Sequence, residues 1–236
     1  MSATTKAQPQ REVQINTGIP LPLERFYHWE KHSPTKICFT QPMGNESIQD
    51  ITWQEAGKQI RSMATYLQKI GVKPGDNVAL VSKNCAHWIM ADLAIWMAGA
   101  VSVPLYPTLT AESVRQIMDH SEARFLFVGK LDDWPAMSPG VPEGVACISF
   151  PLSPDNEFPT WDEIVESTEP MKESPSRSHL HDPYGSSKDH KYHNVYQTRA
   201  FHRRRQVVKH DDIHFDSWQN PSRRSLNEVC QLSLLH

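Results

Sequence analysis

Cysteine is scarce in this chain of 236 residues: Cys38, Cys85, Cys147 and Cys230 are the only four, and no two are spaced Cys-x-x-Cys. That argues against a zinc ribbon or a disulfide framework, and reduced thiols fit a cytoplasmic setting. A long apolar run is also missing. The longest, residues 89–103, is broken by Asp92, Gly99 and Ser102 and falls short of a bilayer span, so no transmembrane segment is expected. The opening residues, MSATTKAQPQREVQ, hold no apolar stretch of the kind a secretory signal carries. Net positive charge is lacking too, and a formal charge of −3 gives no general attraction to nucleic acid or an anionic membrane. No Gly-x-Gly-x-x-Gly follows a predicted strand, which disfavours an unrelated doubly wound dinucleotide binder. Internal repeats are absent.

What is present is enough apolar residue (39%) to bury a core, arranged with clear periodicity over the first three quarters of the chain. Residues 1–18 are polar and are expected to form a flexible arm. Residues 21–32 read as a short amphipathic helix carrying Leu23, Phe26 and Tyr27 on one side, closed by Ser33-Pro34. Residues 36–40 and 48–52 are β-rich runs around Gly44-Asn45, the pattern of a hairpin. Thr52 with Glu55 makes a capping box ahead of Ala56, Ile60, Met63, Ala64 and Leu67, and Gly71 ends that helix. Residues 78–81 are an all-apolar strand of the sort buried on both faces. Asn84 is placed to cap a helix running to about Met97. Strand 101–105, a Thr110-capped helix to about His120 and strand 125–128 follow. The order β-α-β-α-β with short links predicts an α/β fold, a partial doubly wound parallel sheet between two helical layers. Residues 131–153 read as proline-rich loop with one strand over 145–150, and residues 160–167 as a short helix capped by Thr160.

Five segments, taken in order, resemble the adenylate-forming (AMP-binding) acyl-CoA synthetases, and within them the long-chain fatty-acid–CoA ligases. They are Ile51-Thr-Trp-Gln-Glu-Ala, Gly71-Val-Lys-Pro-Gly-Asp-Asn-Val-Ala-Leu, Ser82-Lys-Asn-Cys-Ala-His-Trp, Trp96-Met-Ala-Gly-Ala-Val-Ser-Val-Pro-Leu-Tyr-Pro-Thr, and His120-Ser-Glu-Ala-Arg-Phe-Leu-Phe-Val-Gly-Lys-Leu-Asp-Asp-Trp. The resemblance covers roughly residues 20–175. It implies the N-terminal subdomain of the adenylate-forming fold over residues 19–176. It also implies an ATP-dependent ligase, acting on a fatty acid or related carboxylate with ATP, magnesium and coenzyme A as the full-length family's cofactors. Gly99 is expected to let the helix end pack on the next strand, while Pro104 and Pro107 hold the exit extended.

The phosphate loop that the resemblance places soon after Leu180 does not follow. The chain reads His181-Asp-Pro-Tyr-Gly-Ser-Ser-Lys-Asp-His, and Gly185-Ser-Ser-Lys has neither the length nor the spacing to cradle a phosphate. No residue is therefore assigned as catalytic, cofactor-binding or metal-ligating, no cofactor is assigned to this chain itself, and the chain is expected to be inactive as a ligase. Periodicity stops near Pro170, and the charge reverses: residues 1–176 sum to −7 and residues 177–236 to +4. Residues 177–236 are accordingly read as an irregular tail, frameshifted, mis-spliced or disordered. His190 with His193, and His210 with His214, have metal-like spacings in a His-rich stretch that fixes no further ligands; Arg203-Arg204-Arg205 reads as an exposed charge run. Asp132-Asp133 is read as loop rather than a metal pair, and Trp29, Trp53, Trp88 and Trp96 as packing residues. As such a fragment it is expected to be marginally stable, with open sheet edges; the rival reading is a non-catalytic α/β interaction module that binds a partner through exposed sheet edges or the basic tail.

Overall fold

A capping box opens the longest helix, and the rest of the architecture hangs on it. The computed structural model describes residues 21–175. Helix α1 (Pro22–His32) leads into the antiparallel hairpin β1 (Ile37–Gly44) and β2 (Ser47–Thr52), which turns at Asn45-Glu46, one residue later than the sequence suggests. Helix α2 (Trp53–Lys69) starts at Thr52, whose Oγ1 accepts from the Glu55 amide at 3.3 Å while the Glu55 carboxylate accepts from the Thr52 amide at 2.8 Å. Then come β3 (Asn77–Val81), α3 (Ala86–Met97), β4 (Val101–Leu105), α4 (Ala111–Ser121) and β5 (Phe125–Val128). The single turn α5 (Trp134–Met137), strand β6 (Ala146–Ser149) and helix α6 (Trp161–Ser167) complete the set.

The second sheet is parallel with order β4-β3-β5-β6, so the chain steps outward from β3 to β4 and then crosses back over β3 to β5. That is a doubly wound sheet, as the periodicity predicts. Alternation along each strand divides the core in two. Val78, Leu80, Phe127 and Ile148 join α1, α2, α3 and α6 on one face; Ala79, Val81, Val103, Leu105, Leu126 and Val128 join α4 and α5 on the other. Leu23, Phe26, Ala56, Ile60, Met63, Ala64 and Leu67 are buried on the helix faces predicted for them. Gly99, at φ +83°, ends the turn after α3 with its carbonyl accepting from the Gly75 amide at 2.9 Å, and it lies against Pro74.

Three expectations change. Asn84 does not cap α3; the capping position is Cys85, whose side chain makes no capping bond to the helix. Instead Gln41 reaches across from β1, and its Oε1 accepts from the Ala86 amide at 2.8 Å while the side chain is 5% exposed. The stretch read as proline-rich loop contains α5, because Asp133 Oδ1 accepts from the Ala136 amide at 3.0 Å and Pro135 sits in the first turn. The sheet edges are also less open than expected. Pro104 lies in edge strand β4 and withholds one ladder donor, and beyond β6 the Ser149 amide donates to the Pro159 carbonyl in a parallel bridge.

Candidate functional site

In a doubly wound sheet the ligand crevice opens at the carboxyl ends of the strands, where successive connections leave for opposite faces. Here that point lies between β3, which departs to α3, and β5, which departs to α5. Ser82 and Lys83 follow β3; Gly129, Lys130 and Asp132 follow β5. The two loops are laced together. The Gly129 amide donates to the Val81 carbonyl at 2.8 Å, the Lys83 amide to the Lys130 carbonyl at 2.8 Å, and the Lys130 amide to Ser82 Oγ at 2.9 Å. Ser82 Oγ in turn donates to the Lys83 carbonyl at 2.6 Å, and Lys83 Nζ pairs with Asp132 at 2.5 Å. Gly129 is required by the closeness of this crossing, since a β-carbon there would collide with Ser82 and the Phe150 ring.

The loop amides and the Ser82 hydroxyl at this crossing are therefore already committed. Ser82 is 5% exposed and its hydroxyl serves two backbone partners, so it is no nucleophile. Cys85 lies 3.6 Å from Ser82, and burial pushes its thiol above the usual range, away from the reactive thiolate. An anion needs free amides at a helix start. The first amide of α3 is held by Gln41, and α5 is one turn long and closed by Asp133. Asp132 and Asp133 thus have separate structural tasks, one in an ion pair and one in a cap, and they form no metal pair. The crossing thus offers neither a run of free amides for the phosphates of ATP or coenzyme A nor a free carboxylate pair for magnesium.

Behind the crossing sits an aromatic cage. His87, in the first turn of α3, is 2% exposed, and its ring lies 5.5 Å from Trp161 and 6.0 Å from Phe150. Burial lowers its imidazole to about 4, so the ring is neutral and packs as an aromatic. Phe127 stacks on Phe150 at 5.6 Å, and Trp161 Nε1 donates to Gln59 at 2.8 Å. Trp53 is buried, while Trp29, Trp88 and Trp96 are half-buried against the same core, the packing role expected of all four. His120 falls in the last turn of α4, as expected. A second polar cluster ties the layers: Arg61 forks onto Glu30 at 2.5 and 2.7 Å and holds Ser174 at 3.0 Å.

A depression of about 300 Å³ lies at the opposite end of the sheet. It is lined by Met118, Asp119, Glu122, Arg124 and Glu143 and is wide open. It sits where the strands begin, away from the crossing, and brings together no nucleophile with a base. No group of three or more metal-ligating side chains occurs among the described residues, and no helix among them is long and apolar enough to cross a membrane. Gly185-Ser-Ser-Lys, Arg203-Arg204-Arg205 and both histidine pairs lie outside the described residues.

Comparison with known proteins bears directly on this scaffold. The family model described as AMP-binding enzyme matches residues 26–211, running past the composition break at 177. A long-chain-fatty-acid–CoA ligase of Mycobacterium bovis, FadD15, is 45% identical over 78 residues, a stretch that is 33% of this chain and 13% of the ligase. An uncharacterized protein of Mycobacterium tuberculosis, Rv1549, is 28% identical over 126 residues, 53% of this chain and 70% of that protein. Among solved structures, the acetoacetyl-CoA synthetase of Streptomyces lividans superposes with a TM-score of 0.56 at 23% identity. The overlap covers 65% of this chain and 26% of the synthetase, a likeness of fold.

Proposed function

The chain belongs to the AMP-binding enzyme family, and from that premise we propose that it is the N-terminal scaffold of a long-chain fatty-acid–CoA ligase, inactive by itself. The observation that carries the substrate class is the 45% identity to FadD15, over a stretch that is 13% of that ligase. Its own reaction class, ATP-dependent joining of a fatty acid or related carboxylate to coenzyme A, belongs to the complete enzyme. The observation that carries the inactivity is the crossing after β3 and β5. The Ser82 hydroxyl and the amides of Gly129, Lys130 and Lys83 are spent there on the protein itself, which supports a scaffold role for residues 21–175.

In this reading residues 1–18 are an arm, 19–176 the subdomain and 177–236 a tail, with a cytoplasmic setting and no nucleic-acid partner. The family match through residue 211 counts against a clean break at 177, and sequencing the locus around codons 175–240 decides whether the tail is a shifted frame. The activity test uses the full chain with ATP, magnesium, coenzyme A and fatty acids of several lengths. No acyl-CoA above the protein-free background is expected, and turnover well above that background overturns the proposal. The alternative reading, a non-catalytic α/β interaction module, draws its support from the outer face of α3.

A further inference from the structure

Helix α1 carries two side chains that the scaffold does not use. His28 and His32 stand four residues apart, so they share one face of the helix, and both are exposed. Their rings stack with centres 4.2 Å apart and planes inclined by 27°. The Trp29 ring stands nearly perpendicular to His28 at 5.2 Å, and Trp29 is itself packed against the core. His28 therefore leans on a fixed wall.

His32 is oriented from another side. Its Nδ1 lies 2.7 Å from the His28 carbonyl oxygen, which can only accept, so Nδ1 carries the hydrogen and donates it. In the neutral ring the lone pair is then on Nε2. A backbone carbonyl holding one ring nitrogen is the arrangement that prepares a histidine to bind a metal through the other.

We propose that His28 and His32 form a two-histidine site for one divalent ion of the class that prefers imidazole, zinc among them. Two ring nitrogens each about 2.1 Å from one ion bring their ring centres to roughly 4.5–5 Å apart. The observed 4.2 Å reaches that range by a small rotation of either ring. Water completes the shell, since Glu24, one turn below His28, has its carboxylate engaged by the Leu21 amide at 2.7 Å. Arg25 and Lys31 also flank the pair and leave one excess positive charge beside it, but these side chains are exposed and screened. The consequence falls on α1 itself. Eleven residues are too few to stay helical alone in water, so α1 depends on what holds it. An ion across its last turns staples the stretch that presents Glu30 to Arg61.

The test uses the full chain at pH 8, where free imidazole is neutral, with zinc chloride as the probe and hydrogen exchange read by mass spectrometry over residues 22–32. An ion bound only when α1 is helical slows its opening by the factor one plus concentration over dissociation constant, about tenfold at ten times that constant. His28→Gln and His32→Gln should each abolish the slowing. His193→Gln with His210→Gln should leave it intact, because histidines in the tail cannot clamp α1. A second measurement needs no variant: zinc should protect His28 and His32 of the unaltered chain from acylation by diethylpyrocarbonate. No slowing up to about 1 mM zinc, slowing that survives both His28→Gln and His32→Gln, or both rings left fully reactive overturns the proposal. Slowing lost in the tail variant overturns it too.

Discussion

Helices α2 and α3 lie side by side over the same sheet, yet their outward faces are built on different terms. α2 buries Ala56, Ile60, Met63 and Leu67 and turns Gln54, Glu55, Lys58 and Gln68 to solvent, so its surface is finished. α3 buries as much and turns Trp88, Ile89 and Trp96 outward. The comparison teaches that burial among the described residues does not account for α3's sequence. Something further is required of that helix, whereas α2 is satisfied by the fold as it stands.

The comparison breaks most sharply in the core, where the two helices should behave alike. Ile60→Ala in α2 and Met90→Ala in α3 remove fully buried side chains and are each expected to cost about 3 kcal/mol by denaturant unfolding. A loss below about 1 kcal/mol at either site would mean that its helix is not docked as described.

The two helices differ next in titration, for α3 carries two desolvated ionisable groups, the buried His87 and the half-buried Asp92. His87 is held down to about 4 against an ordinary 6.5, so its contribution is present above pH 6.5 and is lost as pH falls toward 4. Asp92 is lifted to about 6 against 3.8, so its contribution is present below pH 3.8 and is lost as pH rises through 6. Between pH 4 and 6 the two slopes oppose, and stability should be nearly flat. Asp92→Asn uncovers the histidine, and stability is expected to fall by about 2 kcal/mol from pH 6.5 to 4. A flat profile in that variant shows that His87 is not sequestered from water.

Their N-termini sharpen the contrast further. α2 is capped locally and α3 from a distance, so Thr52→Ala and Gln41→Ala should each cost about 1 kcal/mol while Asn84→Ala costs almost nothing. Equal losses at Gln41 and Asn84 would return the cap to its local position.

That pair of caps also marks how far the sequence could be read. Thr52 with Glu55, Thr160 ahead of α6, and the apolar run at β3 announce themselves through neighbours a few residues away, and each appears where expected. Gln41 does not, because it acts on a residue 45 positions later, a relation made only by folding. Helix α5 had a local signal in Asp133 and Pro135, but four residues are too few to show a period. The crossing was illegible for the same reason as Gln41. Ser82, Lys83 and Asp132 look available along the chain, and only the register of β3 against β5 brings them together and uses them up. The outward side of α3 was visible as an apolar run but not as a face, since which side a helix shows is decided by what packs on the other.

The central claim, that the crossing after β3 and β5 is scaffold and not a nucleotide site, is tested most directly by calorimetric titration of the full chain with magnesium-ATP. Binding weaker than about 1 mM is expected. Saturable one-to-one binding tighter than about 0.1 mM, abolished by Lys83→Ala or Lys130→Ala, would contradict it.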